Sequence, residues 1–313
     1  MKSKILINPG VGWTGTTPFY YTLRNAGFCH AGYEKEFHYL DMMNLNNPEF
    51  DDYMLERYTD VDAIDFRTDK PRAITKEWDK DYYTGLMTAP HSFDKYAHHM
   101  MHLHESYPEY HAACDFSNHN IALPQEFLTA HAKAMHEYFD VKITILIAEP
   151  IWRYYQELGG VINQCIARKG FTAKKRKILY KNPDLITNHY IRTKQQHKLF
   201  KYCVERSRFS KNCNYKENIE KFIMSYGKKN VLVLEMEKIW DSSYHNETFD
   251  RLSEFLDYEV LPKHLHPNQY MSDDKNIYGL RDQDTEYEPF TEEIKEFGRQ
   301  YMNKIRFYNY NRV

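Results

Sequence analysis

Residues 4–17 read KILINPGVGWTGTT, and this stretch decides the fold. The apolar run at 4–8 predicts a short buried strand that ends at a Pro-Gly turn signal. The Thr-Pro pair that follows the loop is typical of a helix start, so a helix is predicted over 18–26. Strand, glycine-bearing loop and helix therefore follow one another directly.

The same alternation continues along the chain. Continuous β-branched runs predict parallel strands at 141–150 and 230–236, with a weaker strand at 110–117. Apolar residues at helical spacing predict further helices, at 124–139, 184–207, 215–225 and 291–309. Strands that alternate with helices indicate an α/β fold with a central, mainly parallel sheet flanked by helices.

The composition is that of an ordinary folded protein. The chain has 313 residues, of which 42% are hydrophobic and 27% charged, and its 42 basic and 44 acidic residues leave a net charge of −2. This balance gives no general electrostatic reason to expect a nucleic-acid or membrane partner. No apolar stretch reaches the roughly 18 residues of a membrane span, and the five Cys show no CxxC spacing, so a cytoplasmic protein with reduced thiols is predicted.

No repeat, low-complexity linker or break in composition divides the chain. We therefore expect a single domain over 1–313, with helical insertions at about 47–105 and 170–210. The oligomeric state is not indicated by any pattern in the sequence.

The loop after the first strand suits an anion. Parallel α/β proteins bind ligands at the carboxyl ends of their strands, and a helix N-terminus favours negative charge. The donors available are backbone N–H groups at glycines and threonine hydroxyls, namely those of Gly10, Gly12, Gly15, Thr14, Thr16 and Thr17. The loop has no Gly-Lys pair, so a standard ATPase or GTPase is disfavoured. The alternative is a glycine turn without a ligand.

Six segments, in order along the chain, resemble the sulfotransferase family and in particular its heparan sulfate type. The loop resembles that family's 5′-phosphosulfate loop, which ends in Gly-Thr-Thr, and KEFHYLD at 35–41 resembles its Lys-Glu-x-His-Phe-Phe-Asp stretch. The matching segments are 9–17, 35–41, 115–124, 147–155, 215–235 and 307–311. The resemblance implies a P-loop-type three-layer α/β fold.

The resemblance also implies an activity. Its donor would be 3′-phosphoadenosine 5′-phosphosulfate (PAPS), and a sulfuryl group would pass to a hydroxyl or amine of a small molecule or glycan. Glu36 would be the general base, with Lys35 and His38 orienting or stabilising nearby charge. The resemblance assigns the 5′-phosphosulfate to the loop, at Gly12, Trp13, Thr14, Gly15, Thr16 and Thr17. The alternative for Glu36 is a solvated charge beside Lys35.

Two departures from the family pattern concern the donor. Trp13 stands where the family has a basic residue, and Ala148 stands where it has the arginine that binds the 3′-phosphate, with Gln156 in place of a serine. Losing one such contact typically costs about a hundredfold in rate. Replacement cations, together with Gln156, are expected at Arg153, Lys275 and Arg281. A divergent or non-catalytic nucleotide- or phosphate-binding protein is therefore the second hypothesis, and a P-loop nucleotide kinase is the third.

Histidines are concentrated in one region of the sequence. They are His91, His98, His99, His102, His104, His111 and His119. His98 and His102 share a helical face, but no HExxH motif and no carboxylate in register accompanies them, so no metal is expected. Some of these histidines could instead line an acceptor site. The basic run at 174–177 is interpreted as a solvated face, with contact to an anionic acceptor as the alternative.

Overall fold

The structure is a computed structural model that describes residues 2–12, 14–32, 35–45, 64–65, 70–71, 80–148, 153, 212 and 214–266. Within these residues, five strands form one sheet: β1 (Ser3–Ile7), β2 (Cys29–His30), β5 (Ala112–Asp115), β6 (Phe139–Ile147) and β7 (Val231–Glu235). Their order across the sheet is β2-β5-β1-β6-β7, and every pairing is parallel. Two short strands, β3 (Ile64–Asp65) and β4 (Lys70–Pro71), form a separate antiparallel pair.

Helices connect the strands. The described helices are α1 (Thr16–Asn25), α2 (Tyr39–Leu45), α3 (Lys80–Met87), α4 (Phe93–Ser106), α5 (Gln125–Tyr138), α6 (Tyr215–Tyr226), α7 (Met236–Trp240) and α8 (His245–Leu256). Single 3-10 turns lie at 120–122, 228–230, 242–244 and 262–264.

One face of the sheet carries the main apolar core. Leu6 of β1 packs there with Phe19 and Leu23 of α1, and Phe249 and Leu252 of α8 complete the same cluster. All five side chains are at most 2% exposed. Burial of side chains this large is the main favourable contribution to folding, at about 1.5–3 kcal/mol for each.

The opposite face is covered by α4, α5 and α6. Tyr96 of α4 donates a hydrogen bond from its hydroxyl to Asp115 Oδ2 at the end of β5, over 3.0 Å. Its ring also lies edge-on to that of His131 on α5, with 5.2 Å between centroids. Helices on both faces of a central parallel sheet confirm the predicted three-layer α/β class.

Two buried imidazoles belong to these helices. His99 Nδ1 lies 2.9 Å from the Tyr82 hydroxyl, and His131 Nδ1 lies 2.5 Å from the Tyr226 hydroxyl. Burial lowers the pKa of each imidazole to about 3, with a smaller contribution from a neighbouring histidine in each case. Both side chains are therefore neutral at pH 7.

The predicted elements correspond closely to the described ones. The strands expected at 4–8, 110–117, 141–150 and 230–236 are β1, β5, β6 and β7, and the helices expected at 124–139 and 215–225 are α5 and α6. Helix α1 begins at Thr16, two residues before the predicted start. The helices predicted at 184–207 and 291–309, and the insertion at 170–210, lie outside the described residues.

The chain divides into two compact units. The first comprises Met1–Val11, Thr16–Ile147 and Asn218–His266, and it holds the sheet and its core. The second comprises Gly12–Gly15, Ala148–Glu217 and Pro267–Val313. The single domain over 1–313 stays a prediction. Among the described helices, none combines the length and the apolar character that a membrane crossing requires.

Candidate active site

Three chain segments meet at the carboxyl edge of the sheet. Asn8, which follows β1, donates its backbone N–H to the Asp115 carbonyl over 2.8 Å. Ile121 donates in turn to the Pro9 carbonyl over 2.9 Å, and Phe116 donates to the Lys35 carbonyl over the same distance. The residues after β1, the residues after β5 and the segment from Lys35 onward are thus joined by main-chain hydrogen bonds.

The first part of the glycine-bearing loop is fixed to the sheet. Val11 donates its N–H to the Leu146 carbonyl on β6 and Gly10 accepts from the Leu146 N–H, both over 3.0 Å. The Gly10 N–H donates to Asn8 Oδ1 over 3.2 Å. Gly10 therefore serves the geometry of the loop, and its N–H does not face a ligand as the sequence pattern suggests.

The remainder of the loop, with Arg153, lies in the second unit. Arg153 donates from Nε to the Gly12 carbonyl over 2.7 Å, and its side chain is 1% exposed. Thr14 is buried, and Gly15 has a φ of 76°, a left-handed conformation that glycine adopts without strain. Arg153 thus contacts the loop that the sequence assigns to the 5′-phosphosulfate.

Several predicted donor residues cannot be placed. Trp13, Gln156, Lys275 and Arg281 lie outside the described residues, as does the basic run at 174–177. Thr16 and Thr17 form the first turn of α1. Their roles in donor binding stay predictions.

Glu36 is the centre of a charged cluster in the first unit. Its Oε1 contacts the Lys35 ammonium and accepts a hydrogen bond from Asn118 Nδ2 over 2.8 Å. Its Oε2 lies 3.3 Å from His38 Nε2. A quarter of the Glu36 side chain remains exposed. Glu36 therefore contacts both of the other residues that the sequence nominates for catalysis, Lys35 and His38.

His38 adopts an unusual backbone conformation. Its φ of 58° is left-handed, which is uncommon for a residue with a side chain and costs of order 1 kcal/mol or more. Its N–H donates to Ser117 Oγ over 2.7 Å, and Ser117 donates from both its N–H and its hydroxyl to Asp115 Oδ1, over 2.9 and 2.5 Å. The turn after β5 therefore fixes the backbone of His38.

Asp41 and His119 extend the cluster. Asp41 Oδ2 lies 2.8 Å from His38 Nδ1 and 3.6 Å from His119 Nδ1. The rings of His38 and His119 have centroids 4.9 Å apart. Because α2 begins at Tyr39, Asp41 stands in its first turn, three residues beyond His38, where a carboxylate also stabilises the helix N-terminus.

These contacts set the charge of each group. Burial lowers the pKa of His38, but the hydrogen bonds and charges of Asp41 and Glu36 outweigh burial and raise it to about 9. Burial raises the pKa of the Glu36 carboxyl, but Lys35 and His38 outweigh burial and hold it well below its usual range. At neutral pH, Glu36 is a carboxylate and His38 is a cation.

The cluster can perform two chemical tasks. The exposed part of the Glu36 carboxylate can accept a hydrogen bond, and then a proton, from a hydroxyl or amine. The lowered pKa keeps it ionised, although its proton affinity is smaller than that of an isolated carboxylate. The two cations, Lys35 and His38, can compensate negative charge that develops nearby.

Sequence reasoning did not assign Asp41, Asn118 or His119 to this cluster, although His119 is one of the histidines that it offered for an acceptor site. Asp41 stands within the matching stretch at 35–41, but its contact with His38 follows from the start of α2. Asn118 and His119 come from the turn after β5, about eighty positions along the chain, and no local pattern assigns them to Glu36 or Asp41. The one available signal in the sequence was the short spacing between His38 and Asp41, which could have indicated their contact.

Comparison with known proteins gives structural similarities alone. No family model and no curated protein sequence matches the chain. A crystal structure of a sulfotransferase from Alicyclobacillus acidocaldarius is similar, with a TM-score of 0.44 and 13% identity over 97% of this chain and 92% of that one. A sulfotransferase domain from the curacin biosynthetic pathway has a TM-score of 0.47 and 10% identity, over 98% of each chain. Identity and TM-score are both low in these two cases.

Proposed function

We propose that this chain is a sulfotransferase-like enzyme that transfers a sulfuryl group from PAPS to a hydroxyl or amine of a small molecule or glycan. The observation that carries the proposal is the partly exposed Glu36 carboxylate, which Lys35, His38 and Asn118 contact together. An ionised base between two cations suits a reaction that removes a proton and moves negative charge.

The position of this cluster in the fold supports the proposal. In the strand order, the connection after β1 leads toward β2 at one edge of the sheet, whereas the connection after β6 leads to β7 at the opposite edge. The direction of the connections therefore reverses between the neighbouring strands β1 and β6. Open parallel sheets bind ligands at the carboxyl edge where the connections reverse in this way. Asn8 to Val11 follow β1 at that edge, and the backbone of Lys35 is hydrogen-bonded to Phe116 beside them.

The chemical roles follow from the charges. When bound, the donor supplies a sulfuryl group whose bond to the 5′-phosphate oxygen breaks as the acceptor oxygen or nitrogen bonds to sulfur. Glu36 accepts the proton that the acceptor loses. His38 and Lys35 keep Glu36 ionised and compensate charge on the transferred group. Asp41 keeps His38 protonated, and Ser117 fixes its backbone.

The residues fit the two ends of the donor unequally. For the 5′ end, the first unit offers Thr16 and Thr17, which open a helix of ten residues. Within the second unit, Arg153 contacts Gly12. At the position of the family's 3′-phosphate arginine, the Ala148 side chain is fully buried and offers no donor. A 3′-phosphate would therefore depend on the other residues that the sequence proposes for it, which are Arg153, Gln156, Lys275 and Arg281.

The buried alanine also favours the second hypothesis. The Ala148 carbonyl accepts a hydrogen bond from the Tyr215 hydroxyl over 3.0 Å, so this position contributes to packing. A protein that binds a nucleotide or phosphorylated ligand without transferring a group would need no 3′-phosphate contact here. The kinase hypothesis stays third, since the loop lacks the Gly-Lys pair.

Calorimetric titration separates these hypotheses. We expect 3′-phosphoadenosine 5′-phosphate (PAP) to bind at least tenfold more tightly than ATP. Equal affinity for both nucleotides would favour the binding protein, and a preference for ATP would favour the kinase.

Sulfuryl transfer from labelled PAPS to a panel of alcohols, amines and glycans then tests the enzyme directly. Glu36→Gln keeps the size of the side chain and removes its proton affinity, so turnover should fall roughly a hundredfold or more while PAP affinity stays nearly unchanged. The matched control is Glu126→Gln, at an exposed carboxylate in the first turn of α5. Equal turnover by both variants would remove Glu36 from the reaction.

A further inference from the structure

His38, Asp41 and His119 also form a set of possible metal ligands. One ligand atom from each residue lies within 4.8 Å of the other two. The set comprises two imidazole nitrogens and one carboxylate oxygen. Imidazole and carboxylate together suit divalent transition ions such as Zn²⁺, Co²⁺ and Ni²⁺, whereas Mg²⁺ and Ca²⁺ prefer oxygen ligands alone.

The distances are close to those of a bound ion. Bonds of about 2.0–2.1 Å to nitrogen and oxygen place two ligands of a tetrahedral ion about 3.3 Å apart. The separation of Asp41 Oδ2 from His38 Nδ1 is 2.8 Å, and its separation from His119 Nδ1 is 3.6 Å. These two values lie on either side of the ideal separation, and the ligand atoms of His38 and His119 lie within 4.8 Å of each other. Side-chain rotation that brings the two imidazoles closer together would place the three atoms around one ion.

The surroundings of His38 match those of a metal-ligating histidine. Such a histidine usually donates its second ring nitrogen to a carboxylate, which fixes the orientation of the ring. His38 Nε2 lies 3.3 Å from Glu36 Oε2, and its Nδ1 is directed at Asp41. Lys35, the nearby cation, contacts the other oxygen of Glu36.

The three ligands differ in their exposure to solvent. The side chains of His38 and Asp41 are 6% and 8% exposed, whereas that of His119 is 31% exposed. An ion would enter beside His119. His38 is held in place by Ser117, and Asp41 by the first turn of α2, so two of the three ligands are already positioned before an ion arrives.

We propose that His38, Asp41 and His119 form a binding site for a divalent transition ion of the Zn²⁺ type. Three protein ligands leave at least one coordination position for water or another small ligand. An ion on Nδ1 displaces a proton that His38 carries in the proposed reaction, so the metal-bound and the catalytic states of His38 are alternatives. Metal binding needs neither the sulfuryl donor nor an acceptor, so the inference goes beyond the proposed function and can be tested separately from it.

Metal titration of the full chain tests the proposal. Zn²⁺ binding is measured by calorimetry at pH 8, with the proton that the ion displaces from His38 included in the analysis, and Co²⁺ binding by its visible absorption bands. We expect one high-affinity ion per chain. Asp41→Asn and His119→Ala should each weaken binding by roughly a hundredfold or more, and Glu36→Gln by roughly tenfold because it removes a carboxylate that orients a ligand.

The matched control replaces a different pair of histidines, His98 and His102, which share a helical face at a spacing that could ligate a metal. His98→Gln with His102→Gln should leave affinity and the Co²⁺ spectrum unchanged. Circular dichroism verifies that each variant is folded, and His119 is exposed enough to be replaced without loss of the core. Absence of binding, equal binding by wild type and His119→Ala, or loss of binding in the control would each overturn the proposal.

Discussion

Replacing Asp41 with Asn should lower the pKa of His38. The Asp41 carboxylate lies 2.8 Å from His38 Nδ1, and asparagine keeps its shape while removing its charge. The difference between the ordinary pKa of 6.5 and the value of about 9 corresponds to about 3 kcal/mol that favours the charged imidazole. Asp41 and Glu36 share this effect. The substitution should therefore lower the pKa of His38 by roughly one to two pH units, which corresponds to a loss of about 1.4–2.7 kcal/mol in the stabilisation of the charged imidazole.

The same change alters how the free energy of unfolding depends on pH. Because the pKa of His38 is higher in the folded state, its stabilisation is complete below pH 6.5 and is lost as the pH rises through 9. Urea unfolding of wild type between these pH values should show this loss, about 3 kcal/mol, whereas Asp41→Asn should lose about half as much. Proton NMR of the imidazole gives the pKa directly.

Asp94→Asn is the matched control for this experiment. Asp94 also stands in the first turn of a helix, but it is exposed. Its replacement should leave the pH dependence of wild type intact. The reasoning is refuted if His38 of wild type titrates near 6.5, or if Asp41→Asn keeps the full loss of stability between neutral pH and pH 9.

Three further substitutions test the donor loop, the donor and the position of His38. Gly15→Val places a β-branched side chain at a φ of 76°, which should distort the loop. Calorimetry should show loss of PAP binding while circular dichroism shows a folded chain. Unchanged affinity for PAP would remove the loop from the site. Arg281→Ala should weaken PAP binding roughly ten- to a hundredfold with little effect on the nucleotide without the 3′-phosphate, and equal losses for both would indicate a general charge effect. Ser117→Ala leaves the buried N–H of His38 without its acceptor and should lower the free energy of unfolding by about 1–3 kcal/mol in urea, whereas the exposed control Ser243→Ala should change it by less than about 0.5 kcal/mol.

The sheet could be predicted from the sequence because its strands are short, continuous and β-branched. In the sequence, β6 is followed by Glu149-Pro150 and β7 is preceded by Gly227, and neither pattern suits an amphipathic helix. β2 was missed, since two residues are too few to show a period. Its place in the sheet follows from pairing with β5, which is a tertiary contact.

The cluster around Glu36 was predicted in part for a related reason. Lys35, Glu36 and His38 are neighbours in the sequence, so a short motif contains them. Asn118 and His119 reach the cluster because β5, which precedes them, lies beside β2, which precedes Lys35, and this adjacency has no local signature. The left-handed backbone of His38 was also missed, since it depends on a hydrogen bond to Ser117, 79 positions away.

The two buried, neutral histidines on α4 and α5, His99 and His131, make the stability of the protein sensitive to acid. The unfolded chain binds a proton at each histidine below about pH 6.5, whereas His99 and His131 in the folded protein stay unprotonated until about pH 3. At pH 5 this difference lowers the free energy of unfolding by about 2 kcal/mol for each histidine. Together they remove about 4 kcal/mol from a total that is typically about 5–15 kcal/mol for a protein domain. Acidification to pH 5 should therefore remove a substantial part of the stability of the fold while Glu36, whose pKa lies well below its usual range, stays a carboxylate.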